Sequence, residues 1–299
     1  MKKIQWFMTG LLLSATAASA QWHSGFAALQ IGAGARAAAM GESMTAAAED
    51  ASSAFWNPAG HAFLPRRQAH FSHNQWIQDI QQSAAAVVFP RRGWAVGLHA
   101  LVNSVADIEQ RIAPTEDPLG TFSAHDVVFG VTLARRFGAR SALGINARFL
   151  HEKIYVESAS GFSIDFGGQY RTPLRGLYAG FVVQHLGALS ELREEKVTLP
   201  RTLRGGFSYL VPLRAARPLW LVTADVVAVR DQDIHLHVGT ELRPVDLLAL
   251  RAGYMSGYAT RDLSAGFGLY FGRSSLDYAY VPFKEELGQA HRFSVTLPF

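Results

Sequence analysis

His235 and His237 stand two residues apart. On an extended chain both rings leave the same face, as two ligands of a metal ion would. No third ligand can be placed beside them, so they read as polar groups of an interior. Gly161-Phe162-Ser163 and Gly206-Phe207-Ser208 begin like a nucleophile elbow, but both lack its second glycine. The pair Gly32 and Gly34 resembles a dinucleotide loop only superficially, because no strand precedes it and an alanine-rich stretch follows. The chain has no cysteine, which removes thiolate metal sites, a thiol nucleophile and disulfides together. No catalytic, cofactor or metal site is expected, and the protein reads as a non-enzyme.

More informative are charges set singly among apolar neighbours. Arg148, Asp165, Arg204, Asp225, Glu241, Arg251, Asp277 and Arg292 lie on the polar side of stretches whose apolar residues recur at every second position. Phe162, Ile164 and Phe166 alternate with Ser163 and Asp165; Ile234, Leu236 and Val238 with His235, His237, Gly239 and Glu241. Leu263 to Phe271 alternates with Ser264, Gly266, Gly268 and Tyr270, and Phe293, Val295, Leu297 and Phe299 with Arg292, Ser294 and Thr296. Period two specifies strands with one greasy face.

Fourteen such strands fit between turn signals, at 66–77, 81–90, 93–108, 121–136, 141–157, 161–171, 175–187, 201–212, 218–230, 233–243, 246–257, 261–271, 274–282 and 290–299. An even count of long antiparallel strands is the signature of a closed transmembrane barrel. An arginine facing lipid at mid-bilayer would cost about 2–4 kcal/mol, so the eight charges should point into the lumen as paired groups. Trp76, Trp94, Trp220, Tyr280 and Phe299 fall near strand ends, as girdle residues do. Every second connection is short and arginine-rich, while the alternate set includes 109–120, 188–200 and 283–289 with the acidic pairs Glu116-Asp117, Glu194-Glu195 and Glu285-Glu286. Long loops outside and short turns in the periplasm follow. The terminal Phe293, Val295, Leu297 and Phe299 form the pattern read by the barrel insertion machinery in similar barrels.

Composition agrees. Of 299 residues 49% are hydrophobic and only 17% charged, low for a soluble domain. The net charge of +4 resides mostly in the short turns, and no basic groove interleaved with aromatics points to nucleic acid. Lys2 and Lys3, the apolar stretch Trp6 to Leu13, and Ala18-Ser19-Ala20 form a secretory signal peptide over residues 1–20, cleaved after Ala20. No later apolar run is long enough for a membrane helix.

Residues 21–65 lack period two and are rich in alanine and glycine. Short helical turns account for them: Asp50 or Ser52 caps a turn running to Trp56, which Pro58 and Gly60 end. Asn57, pushed out of the helical region by Pro58, should turn the chain and accept a hydrogen bond from backbone two residues on. The reading is a hatch over 21–65 plugging the short-turn mouth of a barrel over 66–299, with Trp56 wedged against the inner wall.

The run from Gly34 to Gly60, GARAAAMGESMTAAAEDASSAFWNPAG, resembles the N-terminal signature of PorV/PorQ-type outer-membrane proteins, distant relatives of FadL-type channels for hydrophobic compounds. Gly34, Arg36, Gly41, Asp50, Trp56, Asn57, Pro58 and Gly60 carry it. LALRAGYMSGY (Leu248 to Tyr258), LSAGFGLYFG (Leu263 to Gly272), LDYAYVPF (Leu276 to Phe283) and HRFSVTLPF (His291 to Phe299) are similar to the C-terminal half of the same family. The resemblance implies an all-β, fourteen-stranded antiparallel barrel with an N-terminal hatch, in the outer membrane and in contact with its lipid. It also implies a link to type IX secretion in some members, through secretion-system proteins or secreted cargo. Two functions survive: a barrel that binds a translocated partner at its outer loops and rim, and a passive channel for hydrophobic molecules gated by the hatch.

Overall fold

The computed structural model describes residues 26–110, 118–192, 197–212 and 219–299. The signal peptide expected over residues 1–20, the pairs Glu116-Asp117 and Glu194-Glu195 and the turn at 213–217 lie outside these residues. The strands are β1 (Gln68–Gln75), β2 (Gln81–Arg91), β3 (Trp94–Gln110), β4 (Gly120–Phe137), β5 (Ser141–Ile154), β6 (Glu157–Arg171) and β7 (Leu177–Leu189). They continue as β8 (Thr202–Val211), β9 (Leu219–Val229), β10 (Ile234–Val245), β11 (Leu248–Met255), β12 (Leu263–Phe271), β13 (Ser274–Pro282) and β14 (Gln289–Pro298). Each pairs antiparallel with the next, and β1 pairs with β14 to close the barrel. Closure leaves no unpaired edge, the condition a sheet must meet to stand in lipid.

The fourteen strands are those the period-two pattern predicts. The largest boundary difference is in β6, which begins at Glu157 rather than residue 161 because β5 and β6 join through only Tyr155 and Val156. Tyr155 adopts the left-handed conformation (φ 56°) that this tight connection requires.

Alternation sorts the two faces. In β4, Val127, Phe129, Val131 and Leu133 are exposed while Val128, Thr132 and Ala134 are buried. The outward row continues through Phe149, Phe162, Phe267, Phe293 and Leu297, a lipid-facing surface. Trp94, Trp220 and Phe299 also face outward. Trp76 does not join that girdle. It turns inward and packs edge-on against Phe283 at 4.9 Å, with Arg261 and Arg292 over its ring. Its position just past the end of β1 frees it from the strand's alternation.

Residues from Phe26 to Leu64 run through the interior. They comprise two short α-helices, α1 (Ala35–Ala39) and α2 (Ser53–Trp56), and 3-10 turns at Ala27–Gln30 and Pro58–Phe63. The expectation that Pro58 and Gly60 end the helical region is corrected. Asn57, extended at φ −150°, ends α2, and Pro58 opens the next helical turn with Gly60 inside it. Proline suits a first helical position because the N–H it lacks would be unpaired there.

Wall glycines make room for this segment. A Cβ on Gly167 of β6 would collide with Asn57 Oδ1 and the Pro58 ring. One on Gly253 of β11 would collide with the backbone of Gly41, itself at φ 60°. Backbone-to-wall approach this close admits no side chain.

Candidate functional site

The segment is fastened along its length by two chemistries. Against β5–β7 the ties are mostly neutral. Asn57, fully buried, donates through Nδ2 to the carbonyls of Thr45 (2.7 Å), Gly168 (3.1 Å) and Phe181 (3.3 Å). Its Oδ1 accepts from Ala59 N–H at 3.1 Å, the local bond expected of an asparagine before proline. Asn146 donates to the Ala54 carbonyl, Gln169 to that of Ala48 and Gln184 to that of Phe55. The charged members are Arg171, which meets the exposed Glu49 at 3.1 Å, and Arg148, which reaches Ala54 O at 3.1 Å while paired with Asp165 at 2.7 Å. Asp165 also accepts from His185 N–H at 2.8 Å, where β7 bulges out of register with β6.

Against β8–β14 ion pairs join neutral bonds, among them Ala35 N–H to Ser294, Gly41 N–H to Ser264 and Ser208 to the Ala46 carbonyl. Arg36 of α1 reaches Glu241 at 2.9 Å, and Glu241 is shared with Arg251 at 2.7 Å and Arg243 at 2.8 Å. Arg251 bridges on to Asp277 at 2.8 Å. Glu42 meets Arg261 at 3.2 Å and Arg292 at 3.5 Å. Asp225 has no ion pair with Arg204. It accepts instead from the backbone N–H and hydroxyl of Thr45, at 2.9 and 2.7 Å. Arg204 donates to the Glu42 carbonyl at 3.3 Å and lies 5.3 Å from the Trp56 ring. All eight charges named from the sequence face the interior. Gly34, ahead of α1 at φ 90°, and Asp50, which accepts from Ser52 N–H at 2.8 Å, complete the motif.

Burial alone would push the Glu42 carboxyl up, but Arg261 and Arg292 outweigh it and hold it at about 2. Desolvation drives His61, on the neutral side, down to about 4, against a weak bond to the Ala51 carbonyl. Glu42, Thr45, His61 and Arg261 were not singled out from sequence. For Glu42 a signal existed: a lone carboxylate in an alanine–glycine run must find a cation once buried.

Trp56 is 3% exposed, and its indole N–H donates to the Ala33 carbonyl at 2.9 Å. The ring packs over Gly32 of its own segment, so the segment folds on itself there instead of wedging Trp56 on the wall alone. His235 stacks on Tyr258 with centroids 4.0 Å apart, and His237 contacts the Tyr258 hydroxyl at 2.9 Å.

The segment divides the lumen. At the long-loop end a cavity of about 570 Å³ is floored by Gly32, Glu42, Phe55 and Trp56 and walled by Trp76, Arg148, Arg204, Tyr258 and Arg261. At the short-turn end a cavity of about 240 Å³ is lined by Arg36, Asp50, Tyr178, Arg243 and Tyr270. The two share no lining residue.

No curated protein sequence matches the chain. Among solved structures, the monoaromatic hydrocarbon channel TodX, as a deletion mutant, matches with TM-score 0.66 at 12% identity, over 89% of this chain and 97% of that one. A FadL homologue of Pseudomonas aeruginosa matches with TM-score 0.59 at 15% identity, over 87% and 96%. The monoaromatic hydrocarbon channel CymD matches with TM-score 0.58 at 12% identity, over 88% and 97%. These likenesses establish a FadL-like outer-membrane barrel fold. The family model for the type IX secretion system protein PorV matches residues 15–184, more than half of the chain, and the chain belongs to that family.

Proposed function

We propose that this outer-membrane barrel is a closed docking protein for type IX secretion, binding a translocated partner at its outer loops and rim. The observation that carries the reading is the separation of the two cavities by a buried segment tied to both sides of the wall. A lumen so filled offers no path as built, while its long-loop end presents arginines and aromatics, residue types enriched where proteins are recognised. With short turns on the periplasmic side, that end faces the exterior. The segment acts as a permanent hatch, and its Asn57-Pro58 turn starts the barrel. The terminal row ending in Phe299 serves as the insertion signal: deleting Phe299 lowers the folded, heat-modifiable fraction, and an unchanged yield would reject that role.

A photo-reactive residue placed at Trp76 or Tyr258 in cells tests the docking reading. It predicts a cross-link to a secreted or secretion-system polypeptide, with no uptake by proteoliposomes. The second reading, a hydrophobic-molecule channel gated by the hatch, is favoured by the apolar floor of the outer cavity at Phe55 and Trp56. It predicts the reverse: liposome swelling with a hydrophobic solute and no cross-link.

A further inference from the structure

Inward carboxylates in this barrel are answered almost everywhere. Asp165 has Arg148, Glu241 and Asp277 share Arg251, Glu42 has Arg261, and Asp225 has the Thr45 N–H and hydroxyl on Oδ2, with Oδ1 unmatched. One rung departs from this. Asn103 of β3, Asp126 of β4 and Glu152 of β5 are direct neighbours in the pairing of their strands, and all three point inward. Neither Asp126 nor Glu152 has an ion-pair partner among the described residues. Glu152 is 9% exposed and Asn103 4%, and both Glu152 Oε2 and Asn103 Oδ1 are buried without a hydrogen-bond partner.

Like charges directly opposite on adjacent strands destabilise a sheet, and a buried oxygen left unmatched costs more again. Two carboxylates and an amide oxygen, side by side on three strands and answered among the described residues only by the Asn103 amide N–H donated to Asp126, form the ligand set of a hard divalent cation. We propose that Asn103, Asp126 and Glu152 bind a calcium ion. Calcium takes six to eight oxygens. The two carboxylates and Asn103 Oδ1 supply part of that shell, and water supplies the rest from the open side of the rung.

The position gives the ion a task. β3 and β4 are the longest strands, at 17 and 18 residues. Their pairing runs regularly to Val105 and Ala124 and then shifts, with Asp107 in the left-handed conformation at φ 55°. The rung lies just below that bulge. An ion there ties the base of the β3–β4 projection to β5 and fixes its angle over the barrel mouth. This proposal stands whether the mouth docks a polypeptide or admits a small molecule.

The test is calorimetric titration of calcium chloride into the full-length barrel, purified in detergent and stripped with EDTA, at pH 7.5. Three protein ligands at an extracellular site predict a dissociation constant of about 10⁻⁴–10⁻³ M. The D126N/E152Q variant, isosteric and lacking both charges, should bind at least tenfold more weakly while remaining heat-modifiable on a gel. Asn103→Ala, which keeps both charges, should weaken binding more modestly. Hydrogen exchange of Ile108 to Gln110 should slow with calcium in the wild type only. Absence of binding by the wild type overturns the proposal. Unchanged affinity in D126N/E152Q overturns it as well. If that variant does not fold, unchanged affinity in Asn103→Ala does the same.

Discussion

The interior segment meets the two sides of its barrel by different means. Toward β5–β7 its partners are mainly asparagine and glutamine amides aimed at backbone carbonyls. Toward β8–β14 they include guanidinium–carboxylate pairs that continue from wall residue to wall residue, beside neutral bonds such as those of Thr45 to Asp225. Neutral bonds to backbone depend on where the main chain lies and little on pH. Buried ion pairs depend on every member being present, because a buried charge left alone is far costlier than a dipole left alone. The first side therefore acts as a template for the segment's path, and the second as a lock that fails when a member is lost.

The largest effect should come from the lock. Arg251, whose side chain is fully buried, bridges Glu241 and Asp277. Arg251→Leu leaves Asp277 without an arginine and costs about 3–5 kcal/mol, read from urea unfolding in detergent micelles. A loss below about 1 kcal/mol would mean that the network is solvated and the two sides are alike.

Acid should separate His61 from Glu42 next. His61, on the template side, has its folded pKa lowered to about 4, below that of the unfolded chain. The unfolded state takes up the proton first, so stability is lost as pH falls from about 6.5 to 4, by ~3 kcal/mol in all. Glu42, on the lock side, is held at about 2. Its contribution is complete above about 4.5 and is lost only as pH falls through 2. Between pH 6.5 and 4.5, then, the His61 contribution is lost while that of Glu42 stays complete. His61→Gln, which keeps a donor for the Ala51 carbonyl, should flatten the stability profile in that window and leave the acid limb unchanged. Identical profiles for variant and wild type would assign the upper window to other groups.

Asn57→Ala should cost less, about 1–3 kcal/mol, because it removes a donor shared among three carbonyls and charges nothing. The sequence made this residue legible. Proline fixes its neighbour's backbone, and the Asn57-to-Ala59 bond follows from that local rule. The strands were legible for the same kind of reason: period two is local, and an arginine among phenylalanines can face only one way in lipid. What is not local could not be seen. Arg204 and Asp225 look like partners on β8 and β9, yet Thr45 takes the carboxylate and the Glu42 carbonyl takes the guanidinium, because the segment's path decides who is near whom. Gly167 and Gly253 appear in the pattern merely as small inward residues. Only the segment lying against them shows that they are the groove it occupies. Trp76 shows the limit of alternation as a guide, since one residue beyond the ladder it turns inward.

The smallest effect marks where the comparison ceases to apply. Phe267 and Gly266 are adjacent on β12. A Cβ at Gly266 would meet the Tyr278 carbonyl and Ala39 of α1, whereas Phe267 is 40% exposed on the outer face. Phe267 does sit 5.4 Å from the Tyr278 ring, so the position is not free of contacts. Phe267→Leu should still cost under about 1.5 kcal/mol, since one apolar side chain replaces another in an apolar solvent and neither tie to the segment is touched. Gly266→Leu, one residue away, must displace either the wall carbonyl or α1 and should prevent the segment from seating. Equal losses for the two variants would mean that both faces of β12 are packed. The inward glycine would then be no part of the groove.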